Sequence, residues 1–227
     1  MPEFMSDALV ISILQIIAID IVLGGDNAII IALACRDLPE RQKKLGILWG
    51  TAGAIILRVI LVFFATTLLA VPGLKLIGGL LLLWIGIKLL MENDTASDHK
   101  VDSSKRLTTA IRTIIVADFV MSLDNSIAIA AAAKGNMYLV VFGLVLSVPI
   151  IIAGSAVILK LMTRFPIIIS LGAGLLGWLA GDLIVNDPLL KTYVSQHILY
   201  ADMVFAGGFA AAVVIIGLLL AKRKTSI

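Results

Sequence analysis

The chain has 227 residues, of which 60% are hydrophobic and only 15% charged, and its mean hydropathy is +1.10. Ordinary soluble domains are roughly half apolar, so this composition excludes that class and points to a membrane protein. The net charge of +3 calls for no nucleic-acid partner, because the basic residues sit in short segments between apolar runs, and the single cysteine, Cys35, excludes an internal disulfide.

Seven apolar segments follow one another at about 8–34, 45–70, 74–91, 108–133, 137–160, 166–185 and 201–221. Each is close to the roughly 20 residues that cross a bilayer as a helix, so the expected fold is all-α with seven transmembrane helices. No basic residue precedes the first run, so it lacks the charged start of a cleavable signal peptide and is expected to remain as a helix. Basic residues fall at Arg36, Arg41, Lys43 and Lys44, at Lys100, Lys105 and Arg106, at Lys160 and Arg164, and at Lys222, Arg223 and Lys224. With seven spans all four groups lie on one side, which the positive-inside rule makes cytoplasmic. The N-terminus then faces out and the C-terminus faces the cytoplasm. Gly and Pro interrupt the pattern in 137–164, the least regular of the segments.

The string Asp20-Ile-Val-Leu-Gly-Gly-Asp26-Asn27 returns as Asp118-Phe-Val-Met-Ser-Leu-Asp124-Asn125, with its polar positions in register. Residues 15–34 align with 113–132 at an offset of 98, and 76–90 align with 170–184 at an offset of 94, matching Trp84 to Trp178 and Lys88 to Asp182. The chain therefore reads as a single transmembrane domain of two units. Repeat A covers about 8–91, a cytoplasmic linker about 92–106, repeat B about 107–185, and a final helix about 201–221 is appended. A unit of three spans reverses the starting side, so the two copies are expected as an inverted repeat, the arrangement of alternating-access transporters with a midplane site.

In a regular helix Asp20 and Asn27 share a face, about 20° out of phase, as do Asp118 and Asn125. Asp26 and Asp124 lie about 100° round from them. Gly24 and Gly25 offer a place for the first helix to unwind and re-aim Asp26, whereas Ser122 and Leu123 hold the equivalent positions in the second copy. The sequence leaves open whether spans 1 and 4 are broken there. Unpaired at mid-membrane, Asp20, Asp26, Asp118, Asp124, Asp182 and Arg58 would together cost roughly 15–20 kcal/mol. That exceeds the net stability of a typical domain, about 5–15 kcal/mol. These groups must pair, protonate or bind cations. The candidate metal ligands are Asp20, Asp26, Asn27, Asp118, Asp124 and Asn125, expected to converge on one site, although Asn27 and Asn125 alone also suit plain hydrogen bonding between helices.

Arg58, half-way along span 2, is either a counter-charge of the metal-free site or a fixed structural partner of one aspartate. Lys88 lies near a helix end and can snorkel to water. Asp182 either lines an exit path or reaches solvent. The segment 92–106, with His99 among acids, reads as a solvated linker. Carboxylate and amide oxygens suit hard divalent cations, and no His lies in any span to recruit zinc or copper. No activated nucleophile accompanies the acids, so no enzyme activity and no prosthetic group are expected.

The segments GGDNAIIIALA and SLDNSIAIAAA, with GGLLLLWIGIKLL between them, resemble the TerC family of bacterial integral membrane proteins, above all its short members. The resemblance covers nearly all seven spans. It implies a bacterial cytoplasmic-membrane protein that exports manganese, and it carries the family's acidic motif onto Asp20, Asp26, Asn27, Asp118, Asp124 and Asn125. The reading is a divalent cation transporter, Mn²⁺ first, working by alternating access with protons as the simplest coupling ion. The alternatives are an exporter of an organic cation or amino acid, and a non-transporting membrane partner protein. The expected partners are the lipid bilayer and a divalent metal ion; an oligomer is left open.

Overall fold

The computed structural model describes residues 7–91, 103–198 and 200–225, and among these every regular element is a helix. In chain order they are α1 (Asp7–Leu23), α2 (Gly25–Cys35), α3 (Glu40–Leu69), α4 (Leu74–Met91), α5 (Ser103–Ala132), α6 (Met137–Arg164), α7 (Ile167–Val185), α8 (Lys191–His197) and α9 (Ala201–Thr225). Six of these are each long and apolar enough to cross a bilayer, and α1 with α2, bent by 51° at the break, gives a seventh when the pair is counted as one broken span. The residues 92–102, which include His99, lie outside the described part.

The spans agree with the apolar segments in number and place, with two extensions. α3 starts at Glu40 and α5 at Ser103, about one turn ahead of the apolar runs. Pro39 precedes α3, and Lys43 reaches back to Glu40 at 2.8 Å, a pairing that carries a helix past its apolar stretch. The irregular region 137–164 is one helix, with Asn136 capping its start by accepting from the Tyr138 N–H and Pro149 held inside it. The turn before it passes through two left-handed residues, Lys134 at φ +50° and Gly135 at φ +78°, the second at no steric cost.

The bundle is inside-out relative to a soluble protein. Trp49, Phe63, Trp84, Phe142 and Ile216 are exposed, where lipid would cover them. Asp20, Asn27, Thr51, Arg58, Asp118, Ser122 and Ser147 are buried. Apolar packing still fills much of the centre, with Leu33, Leu82, Val120, Ala173, Leu176 and Val213 joining five helices. Between lipid-immersed helices hydrophobicity drives little, so close approach depends on small residues. A Cβ on Gly177 or Gly181 of α7 would stand 2.6 Å from a backbone carbonyl of α9, so these two helices meet backbone to backbone. α4 packs on both.

The same device aligns the polar side chains. On α6, Gly143 seats Ile16 of α1, and one turn further along each helix Ser147 meets Asp20. On α3, Gly50 and Gly53 seat Ile114 and Ile115 of α5, and Asp118 follows one turn on, within reach of Arg58.

Asp187, in the segment joining α7 to α8, is fully buried and ties that segment to the start of α4. Its carboxylate accepts from the N–H groups of Gly73 at 3.0 Å, Leu76 at 3.1 Å and Leu189 at 2.9 Å. It therefore caps a helix that offers no cap of its own. Burial pushes this carboxyl up, but the N–H groups of Leu189, Leu76, Gly73 and Lys75 outweigh it and hold the group below the ordinary carboxylate range. A lowered folded value means stabilisation that is full at neutral pH and is lost as the pH falls through that value. Asp187→Asn should cost about 1–2 kcal/mol at pH 7. In thermal unfolding of the detergent-solubilised protein, the gap to the unsubstituted chain should close as the medium is acidified below the ordinary carboxylate range; a gap independent of pH would show that charge is irrelevant to the cap.

Candidate functional site

At the heart of the bundle one guanidinium holds two carboxylates. Arg58 of α3 donates from Nη1 to Asp20 of α1 and from Nη2 to Asp118 of α5, and all three side chains are buried. Its Nε donates to Ser122 Oγ at 2.9 Å, and that hydroxyl donates to the second oxygen of Asp118 at 3.2 Å. Ser147 of α6 supplies a hydroxyl to the second oxygen of Asp20. Four helices thus close on one charged network. The equivalent aspartates of the two motif copies occupy equivalent places in it, one on each side of Arg58.

The chain breaks beside this network. Gly24 separates α1 from α2, and a Cβ there would lie 2.4 Å from the Asp20 carbonyl, 2.9 Å from Asn27 Nδ2 and 3.6 Å from Arg58 Nη1. Only glycine fits so close to the backbone. Where α1 ends, the Leu23 carbonyl loses its helical partner, and Asn125 of the second motif donates to it at 3.0 Å. The other copy is unbroken: α5 runs through Ser122 and Leu123 as a continuous helix. Asn27 consequently has no freed carbonyl opposite it, and both polar atoms of its buried side chain lack a hydrogen-bond partner. Asp26, in the first turn of α2, feels the charges of Arg58 and Asp118, and its Oδ1 is likewise buried without a partner.

The remaining predicted residues lie elsewhere. Asp124 pairs with Lys75 of α4 at 2.5 Å and is 40% exposed. Asp182 takes a hydrogen bond from Asn186 at 3.2 Å and sits within electrostatic range of Asp124, Asp202 and Lys75. Lys88 stands over the Trp84 ring, 5.1 Å from its centre, one turn away on the same helix. The motif aspartates therefore divide: Asp20 and Asp118 clasp Arg58, Asp26 is nearby, and Asp124 belongs to a separate cluster. Among the described residues no three His, Cys, Asp or Glu side chains are grouped to hold a metal by themselves. Any cation held here would need carboxamide or hydroxyl oxygens as well.

A small cavity of about 20 Å³, enough for one water-sized occupant, opens beside the network. Asn27, Thr51, Arg58 and Asp118 form its polar wall, and isoleucines such as Ile30 and Ile114 close the rest. Thr51, Ser122 and Ser147 escape sequence reasoning, because a lone hydroxyl in an apolar helix is too common to carry a signal.

Removing Arg58 should strand two buried carboxylates. Arg58→Gln is expected to lower stability by about 3–5 kcal/mol. Combining it with Asp20→Asn and Asp118→Asn should recover most of that loss, since a neutral network leaves no buried charge unpaired. Thermal unfolding of the three proteins in one detergent measures both effects; equal stability of the single variant and the unsubstituted chain would contradict the network's role.

The model of the integral membrane protein TerC family matches residues 5–225. Among curated proteins, the chain is 46% identical over 187 residues to the uncharacterized membrane protein YjbE of Bacillus subtilis, covering 82% of this chain and 85% of that one. It is 24% identical to the uncharacterized membrane protein YkoY of the same organism, over 93% of this chain and 74% of the relative. The UPF0053 inner membrane protein YgdQ of Escherichia coli K12 is also 24% identical, over 91% of each chain. No solved structure matches. With nearly its whole length matched and seven helical spans in place, the chain belongs to the TerC family of multi-pass integral membrane proteins.

Proposed function

We propose that this protein carries a divalent metal cation, Mn²⁺ first, out of the cell across the bacterial cytoplasmic membrane by alternating access, with protons as the coupling ion. The observation that carries this reading is the charge in the central network and immediately beside it. Asp20, Asp26 and Asp118 supply three negative charges against the single positive charge of Arg58, and Arg58 cannot release its proton. A formal deficit of two charges, with Asp20 and Asp118 buried and Asp26 half-buried, matches one divalent cation, and two protons can replace it in the return step. Arg58 can then remain in place while the cation comes and goes.

The donor chemistry supports a hard cation. Every free polar atom facing the cavity belongs to a carboxamide or a hydroxyl, and the neighbouring charges are carboxylates, which suit Mn²⁺, Mg²⁺ and Ca²⁺ better than copper. Manganese takes first place from the family resemblance. The repeated motif supports the inverted-repeat mechanism, and the basic segments at 36–44 and 160–164 support a cytoplasmic C-terminus with the N-terminus outside. Export of a lysine-like organic cation is less well supported, since the cavity has room for little more than a water molecule.

Reconstituted in vesicles with a trapped metal-sensitive dye, the protein should move Mn²⁺ down an imposed gradient and move protons the other way. Asp26→Asn should reduce that flux by about tenfold or more, because it removes an unpaired carboxylate from the site. Asp124→Asn should act more weakly, since Asp124 is engaged by Lys75. No Mn²⁺ movement by the unsubstituted protein, with intact vesicles, would refute the reading.

A further inference from the structure

Several hydroxyl side chains in the helices of this protein bond back to a carbonyl of their own helix. Thr108 and Thr109 donate to the carbonyls four residues earlier, at 3.0 and 2.8 Å, and Ser155 and Thr163 to those three earlier, at 2.9 and 2.7 Å. That is the ordinary way to satisfy a hydroxyl inside a helix. Thr51 departs from it. It lies in α3, seven residues before Arg58, is 2% exposed, and its Oγ1 has no hydrogen-bond partner. It lines the cavity beside the Arg58 network together with Asn27, which is 5% exposed and whose Oδ1 is also unpartnered.

Two buried oxygens without a partner lie on facing helices and line one small cavity, and they can take a group that offers positive charge; Asn27 Nδ2, also without a partner, lies toward Gly24. We infer that Thr51 is a ligand of the transported divalent cation, which lodges between Thr51 Oγ1 and Asn27 Oδ1 beside the Arg58 bridge. This rests on the metal-transport reading above. Asp26 and Asp118 then supply charge from the surroundings, and the hydroxyl and carboxamide supply neutral hard oxygens, a mixture that suits Mn²⁺ or Ca²⁺. The break at Gly24 serves the same site, because a Cβ there would crowd the Asn27 carboxamide.

The test measures binding of Mn²⁺ alone to the full-length protein purified in detergent, by titration followed through the metal's paramagnetic resonance signal. Thr51→Val keeps the shape and removes the oxygen, and should weaken Mn²⁺ binding by about tenfold or more, while Thr51→Ser keeps it within about threefold. Thr51→Cys places a soft sulfur at the same point and should shift preference from Mn²⁺ toward Cd²⁺ by about tenfold. The cysteine variant gives a gain rather than a loss, so a folding defect cannot imitate it. Unchanged Mn²⁺ affinity in Thr51→Val, or an unchanged Cd²⁺ to Mn²⁺ ratio in Thr51→Cys, overturns the assignment of Thr51 alone. Failure of the unsubstituted protein to bind Mn²⁺ overturns the transport reading and this inference with it.

Discussion

A guanidinium half-way across an apolar bundle is a permanent charge, and burial denies it the bulk solvent that would otherwise share it. Everything near Arg58 answers to that condition. Two carboxylates come to it from helices that are nearly one hundred residues apart in sequence, and each needs a further donor on its free oxygen. Ser122 and Ser147 provide those donors, so α1, α3, α5 and α6 are each tied to the same point. Burying such a network gains little net stability over apolar packing of equal volume, because desolvation offsets most of the attraction. Stability alone therefore does not account for it.

The two motif copies are alike in sequence and unlike in conformation. The first is broken at Gly24 and the second is continuous, and the asparagine of the second closes the opening left in the first. The asymmetry follows from two residues, since Gly24 and Gly25 permit the break while Ser122 and Leu123 favour an uninterrupted helix. Ser122 has also been recruited to the Arg58 network, which gives α5 a reason to stay whole at that point.

Much of this was legible in the chain itself. The seven spans follow from hydropathy and length, and the depth of Arg58 and the aspartates follows from counting along each span. That counting treats every residue of a motif as equal, and space does not. Asp20 and Asp118 sit on Arg58, whereas Asp124 meets Lys75, a residue from a span that no repeat alignment connects to it. Helix phase alone misplaces Asp26, because a 51° bend resets the phase beyond Gly24. Thr51 and Asp187 were invisible for a different reason. Each is an ordinary residue whose role depends on what a distant helix does or does not offer it, and that information exists only once the helices are packed.

The seam between α7 and α9 carries a mechanical consequence. Helices that touch through side chains can slide, since rotamers adjust as the contact moves. Gly177 and Gly181 remove that cushion and bring main chain against main chain, with α4 wedged alongside. Such a joint has few intermediate positions and behaves as a keel: stiff, and set apart from the hydroxyl-lined network around Arg58. A rearrangement of such a bundle would fall in the half that holds Arg58, where the chain is already broken at Gly24 and the hydrogen bonds can exchange, while the keel holds its register.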